Sequence, residues 1–232
     1  MMTRKFQASY TSEIAENLVA EGLLKAGTVE FIPEKPIRLK SGLISPIYVD
    51  NRKLYSVPTA WSDTLELMIS RINEEQVEFD VIAGVNGAAS MQAAAMADRL
   101  DIPVVLIRKD LKTYGNHTRI EGGSVKGKRV LMVADHVSTG ISASDAACVL
   151  RNAGATVRDL ITITDFGIND TKFLFEESRI TLHRVVSFAK LIEEAQALKL
   201  IDVNVAELVR DWLKSPEQWA QRHQISPVEK EN

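Results

Sequence analysis

The stretch Arg129–Ala153, reading RVLMVADHVSTGISASDAACVLRNA, admits few local structures. An apolar run, Val130–Val133, leads to Asp135, and a small hydroxyl-rich turn follows, Ser138-Thr139-Gly140-Ile141-Ser142. Ala146, Ala147, Val149 and Leu150 then recur at helical spacing, so the pattern predicts strand, polar turn, helix. A helix start presents N–H groups without intrahelical partners and a partial positive charge, which suits a phosphate. Gly140 lets the backbone come close, and Ser138, Thr139 and Ser142 add hydroxyl donors. Asp135 sits at the carboxyl end of the strand, where a carboxylate can accept hydrogen bonds from sugar hydroxyls. Ser and Thr are also ordinary helix caps, so the turn alone leaves a ligand-free junction equally open.

The flanking chain repeats the same rhythm. Val81–Val85 reads as a buried strand, Asn86–Ser90 as a turn, Met91–Leu100 as a helix and Pro103–Ile107 as a strand. Leu160–Thr164 and Ile180–Ser187 are further strands, the second followed by a helix over Ala189–Ala197. Strands alternating with helices predict an α/β chain with a parallel sheet flanked by helices, its ligand edge being the row of strand carboxyl ends. Before this core, a helix is predicted from about Ser12 with Ile14, Leu18, Val19 and Leu23 on one side, and another over Thr59–Ile72. The turn-rich segment between them, with extended pieces at Ile37–Leu39 and Ile47–Val49, predicts a small hairpin-like cover. Val205, Leu208, Val209 and Trp212 mark a docked helix near the end of the chain.

At 232 residues, with a net charge of −3 and 25% charged residues, nothing in the charge favours a nucleic acid or a membrane surface. Cys148 is the only cysteine; set among Ala146, Ala147 and Val149, it is expected to be a small buried residue, and a reducing cytoplasm fits. The start lacks an apolar core of signal-peptide length, and no apolar run is long enough to span a membrane.

The loop Arg108–Gly123, RKDLKTYGNHTRIEGG, carries the cations Arg108, Lys109, Lys112 and Arg119 between glycines and has too few apolar residues to bury. It reads as a lid or as a solvated basic loop. Gly84–Ala89 consists of small residues that would let the backbone approach an anion, a weak signal. Gly122–Lys128 fits G-x-x-x-x-G-K, but Arg129 replaces the magnesium-binding hydroxyl and the stretch precedes a strand, so it is a turn. The four histidines lack metal-ligand spacing, and neither G-x-G-x-x-G after a strand nor G-x-S-x-G occurs.

Three stretches in order, Leu39–Asp50 (LKSGLISPIYVD), Arg108–Gly115 (RKDLKTYG) with Ile120-Glu121-Gly122, and Asp135–Gly140 (DHVSTG), resemble the orotate phosphoribosyltransferases over about residues 10–198. The resemblance implies a Rossmann-like type I phosphoribosyltransferase fold over residues 1–200, with an N-terminal hood at about 28–56 and a helical extension at 201–232. It implies that Mg²⁺ and phosphoribosyl pyrophosphate (PRPP) are used to make orotidine 5'-monophosphate and pyrophosphate in de novo UMP synthesis, usually by a homodimer. The metal would be bound through PRPP, not by protein side chains. Ser138, Thr139, Gly140 and Ser142 would hold the 5'-phosphate, and Asp135 the ribose hydroxyls. Arg108, Lys109 and Lys112 would neutralise the pyrophosphate, with Lys112 closing over the neighbouring subunit's site, while Lys40 and Tyr48 would face the orotate. Two positions depart from the family's pattern: Ala134 stands where a second acid precedes Asp135, and Phe166 where an arginine grips the orotate carboxylate. With that arginine replaced, the carboxylate falls to backbone N–H groups, Lys40 or His136. The alternatives are a phosphoribosyltransferase for a different base and a non-catalytic ligand-binding paralogue.

Overall fold

Strands buried on both faces need helical cover on each side, and Val81–Val85 (β5) is buried at every position. The structure, a computed structural model, describes residues 12–110 and 118–225. Its principal sheet has six strands in the order β10-β9-β8-β5-β6-β7. These are Val104–Ile107 (β6), Ile120–Glu121 (β7), Arg129–Val137 (β8), Thr156–Asp165 (β9) and Thr181–Ser187 (β10). β5 pairs parallel with both β6 and β8, whereas β7 turns back antiparallel on β6. The helices that follow these strands are Ser90–Leu100 (α3), Ile141–Asn152 (α4) and Asn169–Glu177 (α5). The chain therefore leaves β5 on one side for β6 and returns on its other side as β8, which puts a topological switch point between the carboxyl ends of β5 and β8.

The chain forms two compact units. Described residues 64–110, 118–164 and 170–185 make up the sheet unit. In it, alternate residues of β5 (Val81, Ala83, Val85) and β8 (Val130, Met132, Ala134) join one core with Ala143, Ala146, Ala147 and Leu150 of α4. The helical stripe runs i, i+3, i+4, i+7, and position 148 falls on the opposite face. Cys148 is accordingly exposed, contrary to the expectation of burial. The strands also run further than the apolar runs suggested: β8 continues through Asp135 and His136, and β9 begins at Thr156. Val125 to Lys128 close a turn through a 3.0 Å backbone bond just before β8, in place of a phosphate loop.

The other unit comprises described residues 12–63, 165–169 and 186–225. Helix Ser12–Lys25 (α1) packs on Phe188–Ala197 (α6). Its buried stripe is Ala15, Val19, Ala20, Leu23 and Leu24, so Ile14 and Leu18, expected on the inner side, are 44% and 42% exposed. The cover is built from Val29–Phe31 (β1), Ile37–Arg38 (β2), Ile44–Ser45 (β3) and Ile47–Val49 (β4), with β1 antiparallel to β4 and β2 to β3. Helices Val203–Lys214 (α7) and Pro216–Arg222 (α8) complete this unit. Pro58–Glu74 (α2) runs from one unit into the other. Among the described residues, no helix is long and apolar enough to cross a membrane.

At the amino-terminal edge of the sheet, His183 of β10 is 4% exposed and lies between two carboxylates, Glu75 at 2.7 Å from Nδ1 and Asp159 at 2.8 Å from Nε2. Carboxylates only accept, so both ring nitrogens must donate and the ring is an imidazolium. Burial pulls its pKa down, but the two carboxylates outweigh burial and raise it above 6.5. A pKa raised by folding adds stability that is complete below the unfolded value and is lost as pH rises through the folded value. The stability lost in His183→Gln, followed by urea unfolding, should therefore be greatest at about pH 6 and shrink toward about pH 9; a pH-independent gap would mean the ring is neutral.

Candidate functional site

The carboxyl ends of β5 and β8 border a cavity of about 190 Å³ lined by Val85, Asn86, Ala88 and the run from Ala134 to Ala143. It lies at the topological switch point, the place where an open parallel sheet receives a ligand. A volume this far below the roughly 300–1,000 Å³ of complete small-molecule pockets accommodates one end of a nucleotide-sized ligand.

The turn between β8 and α4 has the backbone its sequence predicts. Gly140 adopts φ +77°, and a Cβ there would come within 2.9 Å of Phe175 of α5. Glycine therefore fits both the left-handed conformation and the close approach of α5. Thr171 of α5 donates its hydroxyl to the Ser138 carbonyl at 2.9 Å, pinning the turn from the same side. Helix α4 has no side-chain cap on its start, and its first backbone bond runs from Ser144 N–H to the Gly140 carbonyl. The amides before Ser144 lack intrahelical partners and lie at the positive end of the helix dipole. The buried Ser138 hydroxyl has no hydrogen-bond partner among the described residues. Such an arrangement of free amides at a positive helix end can receive an anion such as a phosphate.

Of the sequence candidates, the structure gathers Asp135, Ser138, Thr139, Gly140 and Ser142 on this one cavity. Asp135 is half-buried, one residue beyond Ala134, which is 5% exposed and packed in the core with Ala143 and Ala146. Both positions border the cavity, and Asp135 is the one of the two that carries a carboxylate. His136 shares a 2.9 Å hydrogen bond with Thr164 of β9, and burial lowers its pKa to about 3. It is neutral at physiological pH and brings no positive charge to a ligand carboxylate.

The described ends of the basic loop are stitched by Arg108 N–H to the Arg119 carbonyl at 2.8 Å. Arg119 is already committed: its Nη1 and Nη2 both bond Asp145 of α4 and its Nε bonds the Arg108 carbonyl at 2.8 Å. Arg108 and Lys109 are exposed, and Arg108 pairs with Glu121 at 3.2 Å, an exposed contact readily exchanged for another anion. Lys112, with the loop's centre, lies outside the described residues. Lys40 and Tyr48 belong to the other unit, the first exposed in the turn after β2 and the second half-buried in β4.

Asn86 carries less obvious sequence information. It borders the cavity at φ +60°, ψ +177°, a conformation ordinarily left to glycine, and its N–H bonds the Ile107 carbonyl at 2.9 Å. Backbone strain of this kind costs about 1–3 kcal/mol and collects at ligand sites. The Asn86-Gly87 pair directly after a buried strand was the available signal.

Phe166 is 4% exposed and meets Phe188 at 5.1 Å and Trp212 at 4.9 Å between ring centroids, both edge to face. It is a core residue of its unit.

The comparisons agree with this geometry. A family model described as "Phosphoribosyl transferase domain" matches residues 60–167. The protein named "Orotate phosphoribosyltransferase" in Coxiella burnetii is 37% identical over 201 residues, 87% of this chain and 96% of that one. Its namesake in Listeria innocua is 35% identical over 204 residues, 88% of this chain and 98% of that one. The crystal structure of orotate phosphoribosyltransferase from Aeropyrum pernix aligns with a TM-score of 0.67 at 27% identity, covering 79% of this chain and 99% of that one.

Phe166→Arg places an unpaired guanidinium in an aromatic core, so it should destabilise by on the order of 4 kcal/mol or more. A melting curve checks this; an unchanged melting temperature would mean that position 166 opens to solvent and is able to serve a ligand.

Proposed function

This chain belongs to the orotate phosphoribosyltransferase family, and on that footing we propose that it transfers the phosphoribosyl group of PRPP to orotate, forming orotidine 5'-monophosphate and pyrophosphate in UMP synthesis. The observation that carries the reading is the cavity between β5 and β8, bordered by Asp135, Ser138 and the start of α4, with the buried Ser138 hydroxyl left without a partner among the described residues. A phosphate and a ribose need those two kinds of group: donors for the anion, an acceptor for the hydroxyls.

In this reading Ser138, Thr139, Gly140 and Ser142 hold the 5'-phosphate, with Gly140 contributing backbone and Ser142, which is exposed, its N–H or hydroxyl. Asp135 accepts hydrogen bonds from the ribose hydroxyls and keeps the anomeric carbon in line between base and leaving group. Displacement at that carbon passes through an oxocarbenium-like state, so the principal task of the protein is placement and stabilisation of departing negative charge. Arg108 and Lys109 meet the pyrophosphate, and Lys112 joins them as the loop closes and excludes water. Lys40 and Tyr48 face the base. With Phe166 in the core, the orotate carboxylate is left to Lys40 or to backbone N–H groups.

Mg²⁺, when bound, would come with PRPP and supply neutralising charge for the pyrophosphate leaving group. Among the described residues no three His, Cys, Asp or Glu side chains converge on a metal position. A hard cation of this size keeps waters and substrate phosphate oxygens as ligands, so PRPP itself would hold it and no protein side chain is assigned to it. The enzyme would work in the cytoplasm as a homodimer, the Lys112 loop of each subunit serving its neighbour's site.

The test is PRPP-dependent nucleotide formation from a panel of orotate, uracil and purine bases. Orotate should be the base consumed; use of uracil with neglect of orotate would assign a different substrate, and absence of both turnover and a PRPP-induced thermal shift would sink the reading. Lys112→Ala should lower kcat far more than it weakens PRPP binding, since a closing cation acts on charge that develops in the transition state. Mixed dimers of Lys112→Ala and Asp135→Asn subunits should regain part of the activity; no recovery in verified mixed dimers would contradict the shared site.

A further inference from the structure

Trp212 of α7 is fully buried and donates its indole N–H to the Ile44 carbonyl of β3 at 2.7 Å. The same ring stands edge-on to Phe166, which stands edge-on to Phe188 of α6, so the indole is fixed on its apolar side as well. Helix α8 also packs on β3. Strand β3 is two residues long and pairs only with β2, itself two residues long. An isolated two-stranded hairpin is marginal in water, so its order has to be supplied from outside.

What the indole holds lies midway between the two residues read as facing the base: Ile44 is four positions from Lys40 and four from Tyr48. Toward Lys40, the turn is closed by Leu39 N–H to the Leu43 carbonyl at 2.8 Å and by Arg38 Nη1 to the Gly42 carbonyl at 3.1 Å. Toward Tyr48, the Ser45 hydroxyl donates to the Ile47 carbonyl at 2.7 Å and accepts from the Ile47 N–H at 3.1 Å, carrying the chain around Pro46 into β4. A displacement at Ile44 is therefore passed in both directions through short, bonded segments.

We propose that Trp212 is a positioning residue for the base: its indole fixes β3 and so presents Lys40 and Tyr48 to the heterocycle in one arrangement. The proposal rests on the reading of Lys40 and Tyr48 as base-facing. Helix α7 lies beyond residues 60–167, the part matched by the family model.

Trp212→Phe keeps an aromatic ring toward Phe166 but removes the N–H together with part of the indole's volume, leaving the Ile44 carbonyl without that donor, so a melting curve accompanies the kinetics to separate lost packing from the lost bond. Loss of one such bond should raise KM for orotate by roughly three- to tenfold, with KM for PRPP and kcat unchanged. Amide exchange over residues 37–49 should accelerate while α1 and the sheet keep their protection. An unchanged orotate KM, or orotate and PRPP KM values rising together with hood exchange unchanged, would overturn it. Exchange in the unsubstituted protein gives a second readout that needs no variant. The β2–β3 amides and those of α7 should open as one cooperative unit; hood amides opening while α7 stays closed would refute the clamp. Unsubstituted protein that makes no orotidine 5'-monophosphate would defeat the orotate reading and leave the exchange measurement to judge the clamp alone.

Discussion

The carboxyl edge of the sheet works only because α4 can lie close to the strands, and it can do so because the residues between them are small. Ala143, Ala146 and Ala147 on the helix meet Ala83 and Ala134 on the strands within one buried layer. Larger side chains there would lift the start of α4 away from the strand ends and carry its free amides with it. Gly140 applies the same demand at the turn itself, where Phe175 occupies the space that any side chain would need. The anion cradle is thus a consequence of packing, and packing of this density tolerates little change in volume.

Electrostatics divides the hairpin cations by what they already touch. Arg119 is joined to Asp145 through two guanidinium nitrogens and is only 16% exposed at its side chain, so it ties the hairpin base to α4. Arg108 and Lys109 stand exposed at the loop's entrance, where binding a polyanion displaces at most a weak surface pair. Two histidines of the sheet unit, His136 and the buried His183, illustrate the same rule with opposite outcomes. His136, bonded to a hydroxyl, is held neutral by burial; His183, between two carboxylates, stays charged in spite of it.

The aromatic group at Phe166 changes how the base end has to be built. At the position where the resemblance implies an arginine, this chain has a ring engaged with Phe188 and Trp212. Position 166 has become part of a core that also secures β3 through the Trp212 indole.

The sequence determined the strand, turn and helix around Arg129–Ala153, the βα rhythm before and after it, and the chemical family of the site. Periodicity, glycine and hydroxyl side chains act over a few residues and are written locally. It also supplied most elements within a residue or two, but it missed the short strands β1, β3 and β7 and the helices α5 and α8, whose apolar patterns are short. Only the tertiary structure decided which face of each helix is inside. Cys148 and Ile14 share the composition of buried neighbours yet lie outside the packed stripes, because spacing fixes the period of a helix and the partner helix or sheet fixes its phase. The same holds for the strain at Asn86, the commitment of Arg119 to Asp145, the charge on His183 and the burial of Phe166. Each depends on a residue at least twenty positions away, and no local pattern records what a fold brings from that distance.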